Sequence, residues 1–284
     1  MSELFITRLR ELTVLVYALS VLLYFIDFLH RNRKVNRLAF WLLAFVWLLQ
    51  TVFLLLYMLK VGRFPVLTVL EGLYFYVWVL ITLSLGINRL LKVDFIVFFT
   101  NVIGFAFMVM HTFTPLEFES AVMSEHLVSE LLLLHITMAI ISYGAFAISF
   151  VFSCLYLLQY HLLKQKKWGA TLLRIADLSM LEKMAYLLNG IGVPLLGLSL
   201  ILGVQWAYIK IPDLAWYDAK IVGSFIVLAV YSIFLYAKVK KEMHGRTLAF
   251  WNVGSFLIVL INFFIFGKLS DFHLWYSLII FPYP

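Results

Sequence analysis

The sequence predicts an all-α fold, a polytopic membrane bundle of about eight transmembrane helices with both termini outside. Of its 284 residues, 64% are hydrophobic and 13% are charged, whereas a soluble domain is roughly 45–50% apolar and about 25% charged. The apolar residues come in runs near the ~20 residues that span hydrocarbon. A backbone that crosses lipid must satisfy its own hydrogen bonds, so these runs are helices. We expect one integral membrane domain over residues 1–284.

Hydropathy predicts the position of each span in order. The predicted spans cover residues 12–29, 38–59, 66–87, 95–113, 131–163, 186–206, 221–237 and 248–267. The fifth is longer than one crossing needs, so it must tilt or project. The loop segment 168–185 has apolar residues at near-helical spacing with charged residues between them, which predicts an amphipathic helix on the inner surface. A helical extension that packs on neighbouring spans fits this pattern equally well.

The distribution of Lys and Arg predicts the orientation of the spans. Fifteen of the 22 Lys and Arg residues lie in the loops after the first, third, fifth and seventh spans. Cytoplasmic loops carry the excess of these residues, so this side is predicted to be cytoplasmic. The same placement explains the net charge of +7 as a topology signal, and we expect no binding to nucleic acid.

Several chemical functions are excluded or disfavoured by what the sequence lacks. The single cysteine, Cys154, lies within a span, which excludes an intramolecular disulfide, a CxxC redox pair and a cysteine-based zinc site. The sequence contains no phosphate loop, GxGxxG, HExxH, GxSxG or CxxCH motif. We therefore predict that the chain is not an enzyme.

Two of the seven histidines are candidates for binding a metal. His135 lies one turn into the fifth span and His273 lies just past the outer end of the eighth. Two neutral imidazoles at one depth on different helices can be the axial ligands of a haem iron. A lone histidine at a membrane interface is more often a hydrogen-bonded helix residue, and the residues alone leave both interpretations open.

Aromatic residues accumulate on the same outer side, next to charged residues. Trp206, Trp216 and Tyr217 fit the ordinary aromatic belt of a membrane interface. The belt does not explain why Asp218 and Lys220 follow directly in the same loop. A porphyrin plane favours aromatic contacts and its propionates favour cations, so Lys220, like Lys210 nearby, is a candidate partner for a propionate.

Ionisable residues within the spans raise a different hypothesis. An ionisable group at membrane depth is costly, so Asp27 and Glu71 are functional candidates. A small-solute or ion transporter would join them, with Asn101, in one polar cavity. We favour structural interpretations for both, an ion pair or a helix–helix hydrogen bond, because the sequence offers few groups for a relay. Arg63 is the candidate partner of Glu71, and His30 is the candidate partner of Asp27.

Several stretches resemble the cytochrome c assembly superfamily, the membrane haem-handling proteins that include CcsA and CcmC, and within it the HemX-like branch. "LLLLHITMAIISYGAFAISFVFSCLYLLQYHLLK" resembles the helix with the first external haem-ligand histidine, here His135. "FFIFGKLSDFHLW" resembles the segment with the second, here His273. "MLEKMAYLLNGIGVPLLGLSLILGVQWA" and "AWYDAKIVGSFIVLAVYSIFLYAK" resemble the two sides of the tryptophan-rich haem platform. "FPVLTVLEGLYFYVW" resembles the early span, with Glu71 on its Glu.

The sequence departs from the family at the platform itself. The cytochrome c branch reads W-x-W-D-P-K-E there, and this chain keeps only the Asp and Lys, with Ala215 and Tyr217 at the two Trp positions. Tyr236 stands where cytochrome c members carry an intramembrane histidine. The Tyr at position 236 argues against an inner-leaflet haem relay. The sequence offers no long hydrophilic stretch for an extracytoplasmic domain that could receive apocytochrome, so we expect no covalent haem attachment by this chain alone.

The resemblance implies a ligand, a location and a role. The ligand would be b-type haem, held non-covalently by His135 and His273 as axial ligands. The haem-binding residues would include Trp206, Trp216, Tyr217, Asp218 and Lys220. The location would be the bacterial cytoplasmic (inner) membrane. The role would be homeostasis of haem biosynthesis through the level of glutamyl-tRNA reductase, a possible protein partner. The rival role is haem delivery in cytochrome c biogenesis, with an assembly partner.

Overall fold

The computed structural model describes residues 3–91, 94–113, 129–166, 174–211, 216–240, 243–267 and 269–270. These residues form eight α-helices and one π turn, and contain no strand. The helices are α1 (Glu3–His30), α2 (Arg33–Val61), α3 (Val69–Leu91), α4 (Asp94–Phe113), α5 (Glu130–Lys164), α6 (Leu178–Lys210), α7 (Ala219–Val239) and α8 (Gly245–Ile261). The π turn (Asn262–Phe266) continues directly from α8.

The predicted membrane architecture is confirmed. All eight helices are long and apolar enough to cross a bilayer, and each overlaps one predicted span. The 35 residues of α5 correspond to roughly 52 Å of helix at 1.5 Å per residue, against a hydrocarbon core of about 30 Å. The orientation of the termini stays a prediction.

Helix α6 begins eight residues earlier than the span predicted from hydropathy. Residues 167–173 lie outside the described part of the chain, so the first part of the predicted amphipathic segment 168–185 is not described. Residues 178–185 form the first two turns of α6, capped by the Asp177 side chain, which accepts a hydrogen bond from the Met180 amide at 3.2 Å. Leu181 and Ala185 are buried. The described part of this segment is therefore a helical extension that packs on its neighbours.

The chain divides into two compact units, residues 1–119 and residues 120–284. In the first unit, α1 packs on α2 and α4, and α3 packs on α2 and α4. In the second unit, α5 packs most extensively on α6 and also contacts α8, while α7 packs on α6, α8 and the π turn. Each unit is thus a four-helix bundle. The single domain expected from the sequence stays a prediction.

Ionisable groups in the first unit are held by local partners. Arg63 and Glu71 form a two-pronged ion pair, with Nη1–Oε2 at 2.9 Å and Nη2–Oε1 at 3.0 Å. Asp27 accepts a hydrogen bond from Nδ2 of Asn36 at 2.8 Å, which joins α1 to α2. The pairing of Asp27 with His30 stays a prediction. The ion pair of Glu71 with Arg63 is confirmed, and Asp27 takes part in a helix–helix hydrogen bond as expected. These pairings disfavour the carboxylate relay that an ion transporter would need, because each acidic group already has a fixed partner.

Polar side chains also join the helices of the second unit. Nδ2 of Asn252 on α8 donates to Oγ of Ser149 at 2.8 Å and lies 2.7 Å from Oγ of Ser153, both on α5. Oδ1 of Asn252 accepts from Nδ2 of Asn189 on α6 at 2.9 Å. Asn252 is fully buried, so one amide ties three helices together at a place where lipid offers no alternative partner.

Replacing Asn252 with alanine is expected to destabilise the second unit by about 2 kcal/mol, since interhelical hydrogen bonds in membranes contribute roughly 0.6–1.7 kcal/mol each. The reporter is the single Cys154, which is half-buried on α5 and reacts with a fluorogenic thiol reagent when the unit unfolds. Ser232→Ala is the control, because this exposed hydroxyl bonds within its own helix to the Leu228 carbonyl. An unfolding midpoint equal in Asn252→Ala and wild type would contradict this role.

Candidate functional site

A cavity of about 150 Å³ lies within the second unit. Its walls come from the N-terminal parts of α5 and α7, the C-terminal part of α6 and the π turn, which in a bundle of antiparallel neighbours all lie at one end. This is the end that the charge distribution predicts to face outside. Apolar side chains form most of its lining, among them Leu132, Ile136, Ile140, Leu196, Val204 and Phe225.

His135 lines this cavity from α5 and is tied to α6. Its Nδ1 lies 2.6 Å from the backbone carbonyl oxygen of Ser199. A carbonyl oxygen only accepts hydrogen bonds, so Nδ1 carries the proton and the lone pair of the neutral ring is on Nε2. Within the described residues, both hydrogen-bonding contacts of the ring run through Nδ1. Nε2 is therefore the nitrogen that can bind a metal.

The π turn brings a second group to the cavity, the ammonium of Lys220. Lys220 is the second residue of α7, and its Nζ donates to the Asn262 carbonyl oxygen at 2.9 Å. The Nζ also lies 5.8 Å from the centroid of the Phe263 ring. These two contacts place a positive charge at the cavity wall and leave further N–H groups of the ammonium for an anionic ligand.

The deeper part of the cavity has a polar side that the sequence did not reveal. Tyr143 of α5 and Ser224 of α7 both line it. Nδ2 of Asn262 donates to the Tyr143 hydroxyl at 3.2 Å and to Oγ of Ser224 at 3.3 Å. The first residue of the π turn thus links α5, α7 and, through its carbonyl, Lys220. The sequence alone could not assign these partners, because they come from two other helices.

Three of the predicted site residues lie around the cavity described above. His135, Trp206 and Lys220 line it from three different helices, and Trp206 is buried. Asp218 is buried as well, and its Oδ1 accepts from the backbone amides of Lys220 at 2.8 Å and Ile221 at 3.3 Å. Asp218 therefore caps α7 and fixes the start of the helix that carries Lys220.

The remaining predicted residues are placed differently or are not described. Trp216 and Tyr217 are 56% and 86% exposed, and neither is among the residues that line the described cavity. His273 lies outside the described residues. The predicted pairing of His135 with His273 therefore stays a prediction.

Comparison with known proteins extends the resemblance to most of the chain. Residues 66–273 match the family described as cytochrome C assembly protein. Protein HemX of Bacillus subtilis (strain 168) is 61% identical over 277 residues, which cover 98% of this chain and 100% of that protein. Protein HemX of Brevibacillus brevis is 46% identical over 266 residues, with 94% and 97% of the two chains covered.

A more distant relative is a protein named for cytochrome c biogenesis. Cytochrome c biogenesis protein CcsA of Mesostigma viride is 25% identical over 219 residues, which cover 69% of this chain and 72% of the relative. The matched part of the chain includes every residue of the cavity described above. The chain belongs to the cytochrome c assembly protein family, in its HemX-like branch.

Proposed function

We propose that the chain is a haem-handling membrane protein that binds b-type haem non-covalently in the cavity of the second unit, with His135 as an axial ligand. One observation carries this proposal: Nδ1 of His135 lies 2.6 Å from the Ser199 carbonyl oxygen in a largely apolar cavity. Since a carbonyl only accepts, Nδ1 donates and Nε2 keeps the lone pair. Histidines that bind metals almost always donate their other N–H to a carbonyl or carboxylate in this way, and imidazole is a common axial ligand of haem iron.

The other residues of the cavity suit a haem in their chemistry. Apolar walls and the buried Trp206 match the porphyrin plane, and the Lys220 ammonium matches a propionate carboxylate. When bound, haem would supply an iron centre that can change its charge by one electron. The volume of about 150 Å³ is below the roughly 300–1,000 Å³ of typical ligand pockets. The described walls therefore have room for part of a haem, and we propose that further segments of the chain cover the rest.

We propose His273 as the second axial ligand, and Trp216 and Tyr217 as part of that cover. The support for His273 is its place in the family resemblance, in which residues 66–273 are matched. The exposure of Trp216 and Tyr217 leaves their flat side chains free to contact the porphyrin. Asp218 acts indirectly, by capping the helix that presents Lys220. The proposal assigns no catalytic step to the chain.

The His135→Ala substitution is expected to remove the haem spectrum. The full chain would be purified in detergent from haem-replete cells, and the visible spectrum and haem content would be compared with wild type and with His273→Ala. We expect a Soret band with low-spin features in wild type and its loss in either variant. The control is His161→Ala at the opposite end of α5, where the ring contacts the Gln165 side chain at 2.8 Å. A colourless wild-type protein after haem supplementation would overturn the proposal.

Lys220→Met is expected to weaken haem binding by roughly 10–100-fold, the equivalent of the 1.5–3 kcal/mol of a charge-assisted hydrogen bond. Haem and haem dimethyl ester would be titrated into haem-free protein. Because the ester has no carboxylates, its affinity should differ little between wild type and variant. Lys183→Met, on the exposed surface at the other end of α6, is the control. An equal loss for both ligands would show that Lys220 acts on the fold and not on a propionate.

We further propose a role in haem-biosynthesis homeostasis, exerted on the amount of glutamyl-tRNA reductase. The support is the HemX-like family membership over nearly the whole chain, together with what the resemblance implies for that branch. Immunoblots should show a changed reductase level in cells that lack this chain, restored by the wild-type protein. An unchanged level would exclude this role without affecting haem binding. The segment 164–183, on the end predicted to be cytoplasmic, is the place to seek a contact.

Haem delivery in cytochrome c biogenesis is the second candidate. It is favoured by the relatives that bear the name cytochrome c biogenesis protein CcsA. It requires that deletion of the chain abolishes c-type cytochromes, detected by haem staining of membranes. The homeostasis role instead requires that these cytochromes persist while the reductase level changes.

A further inference from the structure

Two residues of α6 that sequence analysis did not assign to haem binding enclose the imidazole of His135. Ser199 and Gly203 lie one helical turn apart and both line the cavity beside the ring. Residues four apart share one face of a helix, so together they present a single surface to α5.

Ser199 holds both the ring and the backbone of His135. Its carbonyl oxygen accepts the Nδ1 proton at 2.6 Å, and its hydroxyl donates to the His135 carbonyl oxygen at 2.8 Å. The hydroxyl oxygen also lies 3.0 Å from Nδ1. Ser199 is fully buried. The rotation of the ring and the position of its proton are therefore set by one residue of the facing helix.

Gly203 supplies the space that the ring occupies. A Cβ at this position would lie 2.5 Å from both Cε1 and Nδ1 of His135 and 3.0 Å from Cγ. The two distances of 2.5 Å are shorter than the contacts that Cβ atoms make in proteins. An alanine would therefore push the ring away from α6. Gly190 lies on the same helix and has nothing within 4 Å of the equivalent Cβ, so it is a matched control position.

We infer that Ser199 and Gly203 form a slot that fixes His135 as the Nδ1–H tautomer before any ligand binds. In this tautomer, Nε2 is the nitrogen of the His135 ring that can bind iron. Both are positioning residues, and their role in haem binding rests on the function proposed above. A ring already held in its binding orientation loses little freedom on binding, which raises affinity. Ser199 also ties this orientation to the packing of α5 on α6.

The tautomer can be measured without haem. Haem-free full chain with ¹⁵N-labelled histidine in detergent micelles would be studied by NMR near neutral pH, with the His135 signals assigned by their loss in His135→Ala. Wild type and Gly190→Ala are expected to show His135 as Nδ1–H with an unprotonated Nε2. Gly203→Ala is expected to show the mixture of tautomers of a free imidazole. An Nε2–H tautomer in wild type, or a Gly203→Ala spectrum identical to that of wild type, would overturn the inference that Ser199 and Gly203 fix the tautomer.

Haem titration gives the second readout. Loss of a residue that orients a metal ligand typically weakens binding 10–100-fold, and we expect this range for Gly203→Ala and no change for Gly190→Ala. If Gly203→Ala does not fold, Ser199→Ala serves, because it adds no atom. Because the backbone carbonyl stays in this variant, His135 should remain the Nδ1–H tautomer. Loss of the two hydroxyl contacts should shift the Nδ1 resonance and weaken haem binding about tenfold. An Nε2–H tautomer, or an Nδ1 resonance identical to wild type, would overturn the inference. A wild-type chain that shows the Nδ1–H tautomer but binds no haem would overturn the proposed function and leave the slot intact.

Discussion

The hydrogen bond from Nδ1 of His135 to the Ser199 carbonyl is the interaction on which the site depends. It joins α5 to α6, places the proton on one ring nitrogen and leaves the lone pair on the other. A carbonyl that accepts a side-chain proton in addition to its helical bond is common in membrane helices, where polar groups find partners inside the protein. The same contact thus contributes to helix packing and to the chemistry that the ring can perform.

Two clusters of polar side chains join the helices of the second unit. At mid-helix, Asn252 ties α5, α6 and α8 together through Ser149 and Asn189. At the cavity, Asn262 and Lys220 do the same for α5, α7 and the π turn. The π turn matters because a break in the regular helical pattern exposes a carbonyl that a side chain can bind, and such turns are frequent at functional sites. The Lys220 ammonium is anchored at the cavity wall by the Asn262 carbonyl of this turn.

The sequence predicted the helices well and the site in part. Hydropathy found every span because the lengths of apolar runs are dictated by bilayer thickness. His135, Trp206 and Lys220 were singled out by residue type and family resemblance, and they line one cavity. The role of Ser199 could not be predicted, because a serine in an apolar helix has no identifiable partner until the facing helix is known.

Other differences follow from tertiary structure. The early start of α6 depends on the Asp177 cap and on burial of Leu181 against neighbouring helices, which hydropathy averaged over a window does not detect. Asp218 was singled out as a haem-binding residue, and the structure shows that it caps α7. An aspartate directly before a helix is a common N-cap, so the local sequence was sufficient to predict this capping role.

The most direct test of this account is an experimental structure of the full chain purified with haem, determined by cryo-electron microscopy with a bound antibody fragment to aid alignment. The account predicts tetrapyrrole density entering the cavity between α5, α6 and α7, with iron at Nε2 of His135 and Nδ1 still on the Ser199 carbonyl. Haem density away from this cavity, or iron at Nδ1 with the Ser199 contact broken, would contradict it.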